Sequence, residues 1–287
     1  MYTRASDDLR WLCHSPSLVT SDALQCPTVA ELPVANLEAS ELESAMRAQQ
    51  SEWFRLGSYF EILIAAYLRC SDRYSDVRTN VAVHDEKRTV GELDFLLRNQ
   101  AGETEHWESA IKFYLYAPGY DPDPNRCFLG PRAVDRLDLK LQRMRTHQLR
   151  LSQHPATRAI IGLDDVAHVK ALVRGRLFYP LKMDWQSCCP GTLAAPDHLR
   201  GWWSPLESTP ELPAAEGYVI ARKQDWMTCP PACSDSPPLS LESLTRTLHA
   251  DIQQPVQVIG VDSEHRELHR GFVVPNRWPA VAEASLT

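Results

Sequence analysis

The sequence lacks any apolar run that reaches the roughly 18 residues needed for a membrane-spanning helix. Its N-terminus, MYTRASDDLRWLCHS, also lacks the apolar core of a secretory signal. These absences lead us to expect a cytoplasmic protein with no membrane partner.

Positive charge is in short supply. The chain carries 30 Lys and Arg against 37 Asp and Glu, for a formal net charge of -7. This balance argues against a protein that coats nucleic acid through a basic surface, although it leaves room for a local basic cleft. The 8 cysteines do not resemble a disulfide framework in a chain of 287 residues.

Several catalytic motifs are also absent from the sequence. It has no internal repeat, no Gly-rich phosphate loop, no GxSxG elbow and no convincing Cys-His pair. The composition, with 44% hydrophobic and 23% charged residues, is that of an ordinary globular protein. The length suffices for one large domain or two small ones with a real core.

The most informative stretch is TVGELDFLLRNQAGETEHWESAIKFYLY, residues 89–116. Apolar residues alternate with other residues on both sides of a polar turn, which predicts two β-strands joined as a hairpin. Because side chains on a strand alternate between faces, Glu92 and Asp94 share one face, and Glu108 and Lys112 share another. Acids and a lysine among large apolar residues must either face water or take part in chemistry.

The register of this hairpin decides how close the acids lie. If the turn centres near Ala101, Asp94 lies opposite Glu108, with Cβ atoms roughly 5 Å apart. Two carboxylates at that distance repel unless a shared proton or a divalent cation compensates. A hard cation with oxygen ligands, Mg²⁺ or Mn²⁺, is the natural guest of such a pair.

A second stretch, RLGSYFEILIAAYLR from Arg55 to Arg69, has apolar residues at three- and four-residue spacing, which predicts a buried helix. Glu61 is the one acid in it. Its side chain either faces solvent or is held toward the sheet.

A third stretch is basic. Between Arg126 and Arg150 the chain carries seven basic residues against two acids, Asp135 and Asp138. Part of it is predicted to form a helix from Arg132 to Ser152, with Val134, Leu137 and Leu141 on the apolar face. A helix that faces phosphate would have this composition, and so would a solvated face.

The remaining elements follow from shorter patterns. Trp202 and Trp203 fall in a region predicted to be irregular, where they either pin the chain to the core or stack bases. The predicted helices are a short one around Leu9–Leu12, a charged one over Leu37–Gln50, and one over Leu239–His249. The predicted strands are Ser75–Val83, Thr157–Leu163, Val169–Tyr179, Gly217–Ala221, Val256–Val261 and Gly271–Val274.

The order helix, three strands, helix, strand, with Glu61, Asp94, Glu108 and Lys112 on it, resembles the PD-(D/E)XK nuclease-like core. Four phrases cover most of the chain and resemble a bacterial family of unknown function assigned to that superfamily: GELDFLL, HWESAIKFYLY, RGRLFYP and GFVVPNRWP. The resemblance implies an α/β fold with a restriction-endonuclease-like core, in which helices flank a central mixed sheet, and a C-terminal α+β extension. We accordingly expect an N-terminal helical arm (1–50), the core (51–165) and the extension (166–287).

The resemblance also implies roles for particular residues. Asp94 and Glu108 would bind Mg²⁺ or Mn²⁺, Glu61 would support the metal directly or through water, and Lys112 would be the lysine that orients or activates water. The family pattern places an acid two residues before the lysine, where this chain has Ala110. Glu92 is the second choice for that acid, if the hairpin register slips by two residues.

Three hypotheses on function remain open. The first is that the chain is a metal-dependent endo- or exonuclease acting on DNA or RNA through Glu61, Asp94, Glu108 and Lys112. Alternatively, it is a catalytically inactive relative that binds nucleic acid or a protein partner, or a structural protein whose hairpin acids face water. For nucleic-acid binding, the basic stretch offers four candidate residues, namely Arg132, Arg136, Lys140 and Arg143.

Overall fold

The computed structural model describes residues 2–29, 32–33, 55–86, 88–161, 166–230 and 237–279. Within them the chain forms an α/β fold with a large mixed sheet and flanking helices. The α-helices are α1 (Tyr2–His14), α2 (Ser21–Leu24), α3 (Leu56–Cys70), α4 (Leu137–Thr146), α5 (Pro155–Ile161) and α6 (Leu241–Asp251). The strands are β1 (Tyr74–Asp85), β2 (Arg88–Asn99), β3 (Thr104–Tyr116), β4 (Phe128–Leu129), β5 (Val166–Pro180), β6 (Arg200–Pro205), β7 (Gly217–Ala221), β8 (Val256–Val261) and β9 (Glu267–Val274).

The strands follow the order β1-β2-β3-β5-β6-β9-β8-β7, and β4 pairs with β3 outside this path. Strands β1, β2 and β3 form an antiparallel meander. The pairs β5-β6 and β6-β9 are parallel, whereas β8 runs antiparallel to both β9 and β7. The sheet is therefore mixed and flanked by helices, as the resemblance implies.

The chain divides into two compact units. The first comprises residues 1–112, 139–174 and 193–197, and the second comprises residues 113–138, 175–192 and 198–287. Strands β3 and β5 and helix α4 each contribute residues to both units. The expected division at residues 50 and 165 stays a prediction, and the helix expected over Leu37–Gln50 lies outside the described residues.

Helix α3 confirms the periodicity argument of the sequence. Leu56, Phe60, Leu63, Ile64 and Tyr67 are all buried on it, because three- and four-residue spacing places them along one stripe of the helix. Apolar burial of this kind stabilises by about 1.5–3 kcal/mol per large side chain. This packing fixes the helix that carries Glu61.

The helix predicted over Arg132–Ser152 is confirmed only in part. Residues 132–136 form a turn and not a helix, since Ala133 has a φ of 55° and the Gly130 N–H donates to the Asp135 carbonyl. Val134, expected on the apolar face, is 67% exposed. The helical part is α4, followed by a 3₁₀ helix at Gln148–Gln153.

The predicted strand over Thr157–Leu163 is also wrong within the described residues. Residues 155–161 form helix α5, which begins at a proline, the residue best suited to a first helical turn. The Thr157 hydroxyl donates to the Leu151 carbonyl, and Ile160 and Ile161 pack against Val83 and Leu93. The next strand after α4 in the chain is therefore β5, and not the segment 157–163.

The residues from Arg200 to Pro205, predicted to be irregular, form strand β6. Trp202 on this strand is fully buried in a cluster with Tyr218, Leu244 and Val273. Gly271 lies beside the Trp202 ring, where a Cβ atom would approach ring carbons within 2.2 Å. The tryptophan therefore anchors a strand in the core.

Two further predictions concern membrane-spanning helices and the positions of the later strands. No described helix combines the length and the apolar character that a membrane crossing requires. The predicted strands at 75–83, 169–179, 217–221, 256–261 and 271–274 are confirmed, each within a few residues at its ends.

We expect Trp202→Ala to lower the free energy of unfolding by about 3–5 kcal/mol, because it removes a fully buried aromatic side chain. Urea denaturation monitored by circular dichroism measures this change. Leu268→Ala is the control, since Leu268 is 54% exposed, and we expect less than about 0.5 kcal/mol there. Equal losses in the two variants would contradict the packing described for β6.

Candidate functional site

The hairpin acids meet where the ladder between β2 and β3 stops. The paired residues run from Arg98↔Thr104 to Phe95↔Trp107. Past that pair, the Asp94 N–H donates to Glu108 Oε1 at 3.4 Å, and the Ser109 N–H donates to Asp94 Oδ2 at 2.8 Å. Each carboxylate thus accepts from the main chain of the other strand, which holds the two acids side by side.

This register also bears on Glu92. The paired residues show no two-residue slip, so nothing in the described ladder moves Glu92 opposite Lys112. Glu92 Oε1 instead accepts from Asn80 Nδ2 at 3.1 Å. Asn80 adopts a φ of 52° within strand β1, a left-handed conformation that asparagine tolerates better than most residues.

Electrostatic repulsion concentrates on Asp94. Burial, followed by the charge of Glu108, raises the pKa of Asp94 to about 8, while hydrogen bonds from Ser109 oppose the shift. Burial also raises the pKa of Glu61, with Glu92 and Glu108 adding to it and a hydrogen bond from Asn80 opposing it. The three predicted acids therefore share one electrostatic environment.

Glu108 is fully buried and is held by side chains on both oxygens. His106 Nε2 lies 2.9 Å from Oε1, and Gln148 Nε2 donates to Oε2 at 2.7 Å. Because a carboxylate accepts, the shared hydrogen belongs to Nε2 of the imidazole. The His106 Nδ1 atom is buried and has no hydrogen-bond partner in the described part of the chain.

The network continues to a second lysine. Lys140 Nζ donates to Gln148 Oε1 at 2.9 Å, so one amide side chain links this ammonium to Glu108. Burial and the charge of Lys112 lower the pKa of Lys140, and the charges of Asp94 and Glu108 oppose this shift. Lys140 therefore lies near both the acidic pair and Lys112.

A cleft of about 1190 Å³ opens beside these groups. Glu92 and Asp94 contribute acidic atoms to its lining, and helix α4 with the following 3₁₀ helix contributes the opposite charge. Its basic and titratable lining residues are Lys140, Arg143, His147, Arg150 and His154. We call Glu92 and Asp94 the acidic floor of the cleft, and Lys140, Arg143 and Arg150 its basic wall. Acidic and basic groups side by side are suited to a metal-assisted reaction of a phosphate ester.

The predicted nucleic-acid-binding residues fall into two groups. Lys140 and Arg143 line the cleft. Arg136 instead forms a two-bond ion pair with Asp138, at 3.0 and 2.8 Å, and Arg132 is exposed in the turn before α4. Neither of these two belongs to the described lining of the cleft.

Carboxylates are chemically suitable ligands for Mg²⁺ or Mn²⁺, but they do not form a complete cage here. Among the described residues, no group of three or more His, Cys, Asp or Glu side chains is arranged to hold a metal ion. Mg²⁺ is commonly held by one or two carboxylates and completes its shell with water and substrate phosphate. Asp94 lines the cleft and is suited to that mode, whereas Glu108 is fully buried and lies outside the described lining of the cleft.

Sequence reasoning missed three polar partners of these acids. His106 shares a strand face with Glu108 by the period-two rule, so its role was visible in the pattern. Ser109 emerges only from the exact end of the ladder, and Gln148 only from the break between α4 and the 3₁₀ helix. Main-chain geometry, which no residue pattern specifies, brings the last two to the site.

The fold and this site define an α/β protein with a buried acidic pair beside a cleft that has a basic wall. The model of a family described as "Domain of unknown function (DUF1853)" matches residues 7–274, and the chain belongs to that family. No curated protein and no solved structure matches the chain.

The raised pKa of Asp94 predicts a pH-dependent stability of the metal-free protein. A carboxyl whose pKa is higher in the folded state stabilises fully below its unfolded value, near 4, and this stabilisation is lost as pH rises through about 8. We expect wild type to lose about 1–3 kcal/mol more than Asp94→Asn between pH 5 and pH 8.5. Urea denaturation in EDTA at several pH values measures the difference.

Asparagine is a suitable replacement because its amide oxygen can still accept from Ser109. Asp85→Asn, at an exposed position at the end of β1, serves as the control and should keep the wild-type profile. Parallel pH profiles for wild type and Asp94→Asn would contradict a raised pKa of Asp94 in the folded protein.

Proposed function

We propose that this chain is a metal-dependent nuclease of the PD-(D/E)XK type that hydrolyses phosphodiester bonds of DNA or RNA. The observation that carries the proposal is the buried Asp94–Glu108 pair, in which burial and then the charge of Glu108 raise the pKa of Asp94 to about 8, while Asp94 lines a cleft with a basic wall. A buried like-charged pair is costly without a compensating cation. A cation would offset the negative charge of the acids, and a phosphate group would offset the positive charge of the basic wall.

The acids have distinct parts in this proposal. Asp94 and Glu108 would hold Mg²⁺ or Mn²⁺, and Glu61 on α3 would assist them. When bound, such a cation supplies Lewis acidity, which stabilises the negative charge that develops on phosphate during attack by water. His106 and Gln148 orient Glu108, and Ser109 orients Asp94, through the hydrogen bonds described above.

The basic wall supplies substrate binding. Arg143 and Arg150 line the cleft, and their exposed guanidinium groups are suited to phosphate oxygens. Arg143 lies on α4, and Arg150 lies on the 3₁₀ helix that follows it. Contacts of this kind bind the nucleic-acid backbone without reading its sequence.

A second candidate function is nucleic-acid binding without catalysis, by an inactive relative of these nucleases. Two observations favour it. Ala110 occupies the position where the family pattern has an acid, and both oxygens of Glu108 already accept hydrogen bonds from His106 and Gln148. In this alternative the polar network stabilises the hairpin, and the basic wall alone acts on the ligand.

Calorimetric titration of metal-stripped protein with Mn²⁺ tests the first candidate directly. We expect one site in wild type and binding weaker by at least about tenfold in Asp94→Asn, a loss of about 1.4 kcal/mol. Asp85→Asn should bind as wild type does. Equal affinity in wild type and Asp94→Asn would remove Asp94 from the metal site.

Cleavage of single-stranded DNA, duplex DNA and RNA with and without Mn²⁺ then separates the two candidates. The nuclease proposal requires metal-dependent cleavage that Asp94→Asn abolishes. Oligonucleotide binding without metal binding or cleavage would support the inactive relative instead. Because nucleic-acid affinity depends on ionic strength, the binding arm is run at two salt concentrations.

A further inference from the structure

Lys140 and Lys112 lie near each other, and only Lys140 is among the described residues that line the cleft. The resemblance to the nuclease-like core implies that Lys112 on β3 is the lysine of the site. Among the described residues that line the cleft, however, Lys140 is present and Lys112 is not. Asp94 lines the same cleft.

Lys140 is held in place by the network that holds Glu108. Its Nζ donates to Gln148 Oε1 at 2.9 Å, and the other end of the same amide donates to Glu108 Oε2 at 2.7 Å. An ammonium group has three hydrogens. One of them is used by Gln148 in the described structure, which leaves the others for a ligand in the cleft.

The charges around Lys140 support contact with an anion. Lys112 and Arg143 both act on it as like charges, and burial adds to their effect. A phosphate group that enters the cleft would bring negative charge to this side, where Arg143 and Arg150 also line the wall. Burial and these like charges lower the pKa of Lys140, and the charges of Asp94 and Glu108 oppose that shift.

We propose that Lys140, and not Lys112, is the lysine that contacts the scissile phosphate. This inference rests on the proposed function and assigns the substrate contact within the same site. The ammonium pairs with a nonbridging oxygen and stabilises the charge that develops there, without forming or breaking a bond itself. Gln148 fixes the distance between this ammonium and the acid that would hold the cation.

Kinetics of single variants test the assignment. We expect Lys140→Gln to lower kcat by about 10²-fold, because it removes one preorganised donor, while Mn²⁺ affinity stays within about threefold. Lys140→Arg, which keeps the charge, should recover part of the loss. Lys112→Gln should stay within about threefold of wild type in kcat, and Arg143→Gln should act mainly on KM.

A labelling experiment on wild type avoids any dependence on variant folding. Lysines are acetylated with limiting acetic anhydride, with and without a phosphorothioate oligonucleotide and Ca²⁺, and quantified by mass spectrometry. We expect the oligonucleotide to protect Lys140 several-fold and to leave Lys112 unchanged. Protection of Lys112 alone, or full kcat in Lys140→Gln, would overturn the inference while the nuclease proposal stands.

The two failures remain distinguishable. If wild type cleaves and Lys140→Gln cleaves equally well, only the assignment of the lysine is wrong. If wild type neither binds Mn²⁺ nor cleaves or binds any of the oligonucleotides, the proposed function is wrong, and the assignment is overturned with it.

Discussion

The structure of the site depends on one constraint, which is the close approach of two carboxylates inside the protein. Asp94 and Glu108 lie where the β2-β3 ladder ends, and each accepts a hydrogen bond from the opposite strand. The main chain therefore holds together two groups that their charges push apart. Burial and then the charge of Glu108 raise the pKa of Asp94.

The surrounding elements are arranged to compensate for that pair. His106 and Gln148 saturate the oxygens of Glu108, and Lys140 donates to Gln148 in turn. These residues come from a strand, a 3₁₀ helix and an α-helix, so the site depends on the correct placement of all three elements. Buried polar networks of this kind are stabilising only when nearly every member is satisfied, which explains why the site extends beyond its acids.

How much could be predicted depended on the range of the interactions. The spacing of Leu56, Phe60 and Ile64 suffices for a helix, and alternation in residues 89–116 suffices for the hairpin. The meeting of Asp94 with Glu108 also required a turn centred near Ala101, which alternation does not specify. The same reasoning gave the wrong element for segment 155–161, which is a helix and not part of a strand. Its short apolar run suits a strand or a helix equally, and packing against Val83 and Leu93 decided for the helix.

The sequence by itself determined the hairpin, the strand face on which each of its acids lies and the basic stretch that follows, because period-two and helical patterns are local properties of the chain. Only the tertiary structure decided which groups meet in the cleft. The turn at Ala133 separates Arg132 and Arg136 from the helix, while the break after Thr146 brings Gln148 onto Glu108. Such choices arise from main-chain dihedral angles and long-range packing, which no spacing of residues encodes.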